Sequence, residues 1–271
     1  MIEPWLSDLA LQLCRIDGVV GVLLGGSRAR GEHTESSDWD LGLYYRGPLD
    51  TGALRGLARQ IAGTDADVCE PGQWGPWVDG GAWLNVGGRP VDWIYRNVDR
   101  VLTALDDAEH GRFEFNAQTG HPLGVPDYAY VGELAVGLVL EDPSGELARA
   151  QHRTVTYPPA LAAAVIDRLW EADFLIGGLV KSARRADAVW VAGCLFRVVM
   201  LCAHALHARA GKWLINEKGA VRSAGALEIG PPDFAGRAGA LLGDLGTETR
   251  ELVAAMDVAT VLVADVRTAI S

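Results

Sequence analysis

The stretch Leu23–Tyr45, LLGGSRARGEHTESSDWDLGLYY, sets two glycines and a serine a short way upstream of two aspartates spaced one residue apart. The apolar runs VVGVLL (19–24) and WDLGLYY (39–45) read as strands, and GGSRARG as a turn running into a short helical piece. Residues i and i+2 of a strand share a face, so Asp38 and Asp40 project together while Trp39 and Leu41 turn into the core. Two adjacent carboxylates repel, and without a cation one tends to hold a proton. Mg²⁺ removes that conflict, because it takes hard carboxylate oxygens and completes its shell with waters and phosphate oxygens. Gly25 and Gly26 let the backbone approach a ligand closely, and Ser27 opens a helix whose free N–H groups attract phosphate.

Working outward, AWLNVGGRPVDWIYR (82–96) is the clearest local signal in the chain: two strand-like runs flank a Gly-Gly pair, as a two-residue hairpin turn requires. Asp92 interrupts the second run between Val91 and Trp93, and a lone mid-strand acid is costly unless it has a partner. Asp92 can bridge a second Mg²⁺ or take the proton from an attacking hydroxyl. Two ions clamping the attacking and leaving oxygens give an in-line phosphoryl-type displacement.

GGSRARGEHTESSDWDL resembles the signature of the DNA polymerase beta-like nucleotidyltransferase superfamily: Gly-Ser, a spacer, Asp-x-Asp, and a third acid on a later strand. The GSRARG…SDxDL form is most similar to the small-molecule and minimal members, including the aminoglycoside and lincosamide antibiotic-modifying enzymes. The likeness is tight over about residues 22–44 and extends to about residue 96. Trp39 is bulkier than the aliphatic or Tyr residue usual between the two acids. The resemblance implies that Gly26 and Ser27 hold the β- and γ-phosphates and that Asp38 and Asp40 bind Mg²⁺. It implies that Asp92 completes the metal site and serves as general base.

Other residues carry two readings each. Arg28 and Arg30 follow the turn; Arg30 can steady a triphosphate, or either can be a solvated arginine. TGHPLGVPDYAYVGELAVG (119–137) contains His121, most simply a loop histidine, and Glu133, an alternative base or acceptor contact if it is not a structural ion pair. Lys181 is the candidate lysine that this superfamily reaches from its helical part to the triphosphate; the competing reading is a cation placed near a helix C-terminus. Glu217, in KWLINEKGAVRSA, belongs either to a segment that closes over the cleft or to an ordinary polar loop. His204 and His207 lie one helical turn apart, and their apolar neighbours favour packing over metal binding.

Alternating short apolar runs, helices and glycines in residues 1–155 give way to long alanine-rich helical patterns in residues 156–271. Pro4 opens a helix whose apolar face runs to Gly18; TGALRGLARQIAG and VDRVLTALDDAEHG read as helices, and LAVGLVLEDPSGELARAQ as strand, turn and helix. Helical periodicity covers roughly 158–183, 186–211 and 247–270, with a loop holding at most one short helix over INEKGAVRSAGALEIGPPDFAG. The expected fold class is α+β: a mixed sheet with helices of the polymerase beta-like type, followed by a helical-bundle C-terminal domain that closes the cleft.

A net charge of −11 with no basic run disfavours a nucleic-acid partner and suits a cationic small molecule. Cys14, Cys69, Cys194 and Cys202 form no CxxC pair, and three of them sit among apolar residues, which suits reduced thiols in a cytoplasmic protein. MIEPWLSDLA has no basic n-region and no long apolar run, so no signal peptide is expected. The apolar stretches further on are broken by charges, so no membrane span is expected either. The functional expectation is Mg²⁺-dependent transfer of a nucleoside monophosphate, AMP from ATP as first choice, to a hydroxyl of a small molecule such as an aminoglycoside-like polycation, with release of pyrophosphate. The alternative is a toxin-type enzyme that modifies tRNA or protein, for which the only basic track is Arg184, Arg185 and Arg197.

Overall fold

The computed structural model describes residues 3–271. They form two units, one running up to Asp107 and resuming over Phe113–Thr156, the other made of Ala108–Arg112 and Tyr157–Ser271. The first unit opens with α1 (Pro4–Leu13), β1 (Val19–Leu24), α2 (Gly26–Arg30), β2 (Trp39–Tyr45) and α3 (Thr51–Ala62). There follow β3 (Gly81–Val86), β4 (Arg89–Asn97), α4 (Val98–Glu109), β5 (Phe115–Gln118), β6 (His121–Pro126), α5 (Tyr128–Val136), β7 (Leu138–Glu141) and α6 (Glu146–Arg153). β5 and β6 pair as a separate hairpin, and the other strands form a mixed five-stranded sheet in the order β3-β4-β2-β1-β7, with β2 and β4 parallel.

Strand alternation assigns the two faces of that sheet. Val22 and Leu24, Leu41 and Leu43, Val91, Trp93 and Tyr95 turn to one side and pack with Leu6, Leu9 and Leu13 of α1 and Leu54 and Ala58 of α3. The opposite face carries Gly21 and Leu23 on β1, Asp40, Gly42 and Tyr44 on β2, and Asp92, Ile94 and Arg96 on β4, as the pairings Gly21–Tyr44, Leu23–Gly42, Asp40–Asp92 and Tyr44–Arg96 require. α5 and α6 lie on this side: a Cβ on Gly137, just past α5, would stand 2.2 Å from the Leu23 side chain, and one on Gly21 would stand 2.5 Å from Leu147 of α6.

The β3–β4 hairpin forms around Gly87 and Gly88, whose φ values of 59° and 84° are those the two-residue turn demands. α1 ends at Leu13, short of Gly18, because Ile16 and Val19 donate to Leu13 and Ile16 in tight three-residue turns. The chain over 134–141 divides at Gly137: Leu134–Val136 complete α5, which sequence periodicity did not resolve, and β7 begins only at Leu138.

In the second unit the expected helix over 158–183 is three: α7 (Pro159–Asp167), α8 (Trp170–Gly178) and α9 (Val180–Arg184), interrupted where Leu169, Glu171 and Leu179 donate back to residues only three earlier. α10 (Ala188–Arg209) and α13 (Thr249–Ile270) match their periodic stretches, whereas the expected loop between them holds α11 (Ala220–Gly225) and the start of α12 (Phe234–Gly243). α10 has the length and hydropathy of a membrane span, unlike the charge-broken apolar runs expected; 67% of its apolar window is buried. Cys14, Cys69, Cys194 and Cys202 are free, and burial pushes the Cys14 and Cys202 thiols up to about 12.

Candidate active site

The Gly25–Gly26 turn lies directly against Asp40. Gly25 donates its N–H to the Asp40 carbonyl at 2.8 Å, carrying the β1–β2 pairing one residue past the strand. Gly26 has φ +64°, and a Cβ there would come within 1.7 Å of the Asp40 carboxylate. Only glycine satisfies both the backbone angle and the close approach. Ser27 follows in the first turn of α2, half-buried, its carbonyl accepting from Glu32 at 3.0 Å.

Asp40 and Asp92 are direct partners across the parallel β2–β4 pair, so their side chains stand side by side about 4.8 Å apart in strand spacing. Both are half-buried, and Asp38, exposed, enters just before β2. The Asp40 carboxyl is held above the ordinary carboxylate range, first by burial and then by Glu133 and Asp38, against the opposing pull of Arg30 and Arg96. Burial and then Glu133 weigh more in this than Asp38, the neighbour that the Asp-x-Asp spacing supplies. Among the described residues no group of three acids, histidines or cysteines is drawn together as a ready-made metal cage. The donor set of Asp38, Asp40 and Asp92 still fits Mg²⁺, which is commonly held by one or two carboxylates with substrate phosphate oxygens filling the remaining positions.

Arg28 is half-buried and bonded to the loop that follows it. Its guanidinium donates to the carbonyls of Ser37 (2.7 and 3.1 Å) and Asp38 (3.1 Å) and lies 4.0 Å over the Trp39 ring. Trp39 in turn meets Trp5 edge-on at 5.2 Å. The bulk between the two acids is therefore used: Trp39 anchors α1 on one side and, through Arg28, fixes the loop that delivers Asp38. Arg30 is paired with Glu32 at 2.8 Å.

Glu133 reaches from α5 to Arg96, whose Nε and Nη2 donate to its two oxygens at 2.6 and 3.1 Å. This favours the ion-pair reading of Glu133 over the base reading, although a Cβ on Gly25 would lie only 3.6 Å from Glu133 Oε1. Arg96 also donates to the Tyr95 carbonyl and sits 4.6 Å over the Tyr130 ring. Burial works against its charge, and the Glu133 carboxylate outweighs that cost. Arg96 went unremarked in the sequence, yet the signal was present: it lies four residues past Asp92 in the same strand, hence on the same face.

His121 begins β6 rather than lying in a loop. Lys181 is exposed on α9 and Glu217 half-buried between α10 and α11, both in the second unit. His204 and His207 are buried on α10; His207 bonds the Ala203 carbonyl (2.8 Å) and Ser223 (2.9 Å), and burial with His207 alongside brings His204 down to about 3. Both serve packing.

The glycine turn, Asp40 and Asp92 thus share one sheet face, with Asp38 entering just before β2. Residues 6–74 match the nucleotidyltransferase domain family. The match covers about a quarter of the chain and includes Gly26, Ser27, Asp38 and Asp40, stopping before Asp92. It supports a nucleotidyltransferase enzyme. Among solved structures, a nucleotidyltransferase-like protein from Exiguobacterium sibiricum 255-15 is similar to this chain at 10% identity and a TM-score of 0.45, over 91% of this chain and 69% of that one. No curated protein matches.

Proposed function

We propose that the protein transfers a nucleoside monophosphate from a nucleoside triphosphate, ATP as first choice, to a hydroxyl of a small, hydroxyl-bearing acceptor in the cytoplasm, with Mg²⁺ as cofactor. The observation that carries this reading is the juxtaposition of Asp40 with Asp92 in register and with the Gly26 turn at its side. The turn, with its N–H groups and Ser27, receives the β- and γ-phosphates. Asp38 and Asp40 would hold the metal, with Asp92 available to a second ion; bound there, magnesium supplies charge neutralisation along the triphosphate. Asp92 accepts the proton of the acceptor hydroxyl as its oxygen bonds to the α-phosphorus. The α–β bridging bond then breaks and pyrophosphate departs with the electron pair. Positioning and charge carry the reaction, as in other phosphoryl transfers. An aminoglycoside-like antibiotic is the first acceptor to try, on the acidic net charge. The test is incubation with Mg²⁺, each triphosphate and an acceptor panel, with pyrophosphate and product mass as readouts.

A further inference from the structure

A cavity of about 390 Å³ lies in the first unit, where α1 begins beside β2. It is lined by Glu3 just before α1, Arg28 of α2, His33 and Glu35 of the loop before β2, Trp39 of β2 and Arg89 of β4. Trp39 is the strand neighbour of Asp40, so the two turn to opposite faces, and Trp39 belongs to the core that packs against α1. The cavity is therefore separate from the row that holds Asp40 and Asp92. Its volume falls at the lower end of the range that small-molecule sites occupy.

Charge sets this cavity apart. Two guanidiniums and two carboxylates line it, yet among the described residues no ion pair joins any of the four to another group. Arg30, Arg46, Arg55 and Arg96 of the same unit each hold a carboxylate. Arg28 and Arg89 rest on indoles instead, 4.0 Å over Trp39 and 5.4 Å over Trp5, and the two indoles meet edge-on. A ring face holds a guanidinium in place without using up its N–H donors. Arg28 gives Nε and Nη2 to the carbonyls of Ser37, Asp38 and Glu35, which leaves Nη1 with no hydrogen bond among the described residues; Arg89 makes none there at all. Glu3 is held at one oxygen by the Trp5 Nε1–H at 2.5 Å, and the Glu35 carboxylate has no partner among the described residues.

We propose that this cavity binds a small zwitterion, its oxyanion set against Arg28 and Arg89 and its ammonium against Glu3 and Glu35, and that the occupant stiffens the loop that delivers Asp38. A plain anion would leave two carboxylates beside it unanswered, and a plain cation would do the same to two guanidiniums. A ligand carrying both signs meets all four with charge-assisted hydrogen bonds. With both guanidiniums already held over rings, little side-chain ordering remains to be done on binding. The link to Asp38 runs through Arg28, whose Nε bonds the Ser37 and Asp38 carbonyls at 3.1 Å each. An oxyanion on the remaining nitrogen fixes that guanidinium, and the loop over residues 31–38 is fixed with it. By linkage, a firmer loop also favours the occupant.

The test uses the full-length protein without metal or nucleotide, so it stands apart from the nucleotidyl-transfer reading. Glycine, β-alanine, γ-aminobutyrate and 6-aminohexanoate are the probes, because they carry the two charges at increasing separation; butyrate and butylamine carry one each. Calorimetry and saturation-transfer NMR read binding, and hydrogen exchange over residues 31–38 reads the loop. At least one probe binds wild type about tenfold more tightly than either control, and its binding slows exchange in that loop. Arg89→Ala and Glu35→Gln each weaken that probe about tenfold and remove the slowing at the same probe concentration, with thermal melts unchanged. Butyrate bound as tightly as the best probe makes this a plain anion site, and binding that survives either substitution places the probe elsewhere. Both results overturn the proposal, as do no probe binding by wild type and loop exchange unmoved by a bound probe.

Discussion

Removing the Arg96 guanidinium probes how the acid-bearing face is held together. In Arg96→Met the Glu133 carboxylate is left without the two charge-assisted bonds of 2.6 and 3.1 Å that it makes now, in a site where the two side chains are only 8% and 13% exposed. Breaking a buried pair by deleting one partner costs about 3–5 kcal/mol, because the survivor is stranded away from water. For a unit of this size that is a fall in melting temperature of about 6–20 °C. Arg96→Met/Glu133→Gln removes the stranded charge as well and regains most of the loss. Thermal unfolding by circular dichroism, with hydrogen exchange at the β2 and β4 amides, reads both variants. A loss below about 1 kcal/mol in Arg96→Met, or a double variant no more stable than the single, refutes the reasoning that this pair is the strut of the site.

Two further outcomes follow from the geometry. Gly26→Ala drives a methyl into the Asp40 carboxylate, 1.7 Å away, at a positive φ; it costs about 1–2 kcal/mol of stability from the backbone alone and abolishes transfer, measured by melting and by product mass. Asp127 caps α5 by accepting from the Tyr128 N–H (2.8 Å) and also accepts from the N–H of Glu114, just before β5 (3.0 Å); burial pushes its carboxyl up to about 6 from an ordinary 3.8. Its proton is held more tightly folded than unfolded, so its contribution is full below pH 3.8 and lost as pH rises through 6. The stability of wild type minus that of Asp127→Asn, from denaturant titrations at a series of pH values, therefore falls across that window; a flat or rising difference contradicts it.

The parts of the fold legible in the sequence were those with a strong local cause. Gly87-Gly88 between alternating runs gave the hairpin, and the Asp-x-Asp strand beside the glycine turn gave the α+β class. What escaped were elements fixed by tertiary contact. α5 is nearly apolar all round, since Tyr128, Ala129, Val131 and Leu134 are all buried, and so has little periodicity to read. Residue roles split in the same way. The register of Asp40 with Asp92 followed from two strands becoming neighbours, whereas the pairing of Arg96 with Glu133 and the stacking of Trp83 on Trp74 depend on partners 37 and 9 positions away in the chain. Trp39 shows the reverse case: an unusual residue for the motif whose reason, Arg28 above and Trp5 beside it, became visible only in three dimensions.

The central claim is that the acids of one sheet face drive nucleotide transfer to a hydroxyl. Its most direct measurement is pyrophosphate release with product mass, comparing wild type with Asp38→Ala/Asp40→Ala under Mg²⁺ and ATP across the acceptor panel. The account predicts that wild type adds one nucleoside monophosphate to an acceptor and that the double variant, folded by its melting curve, adds none. Transfer persisting in the folded double variant would contradict it.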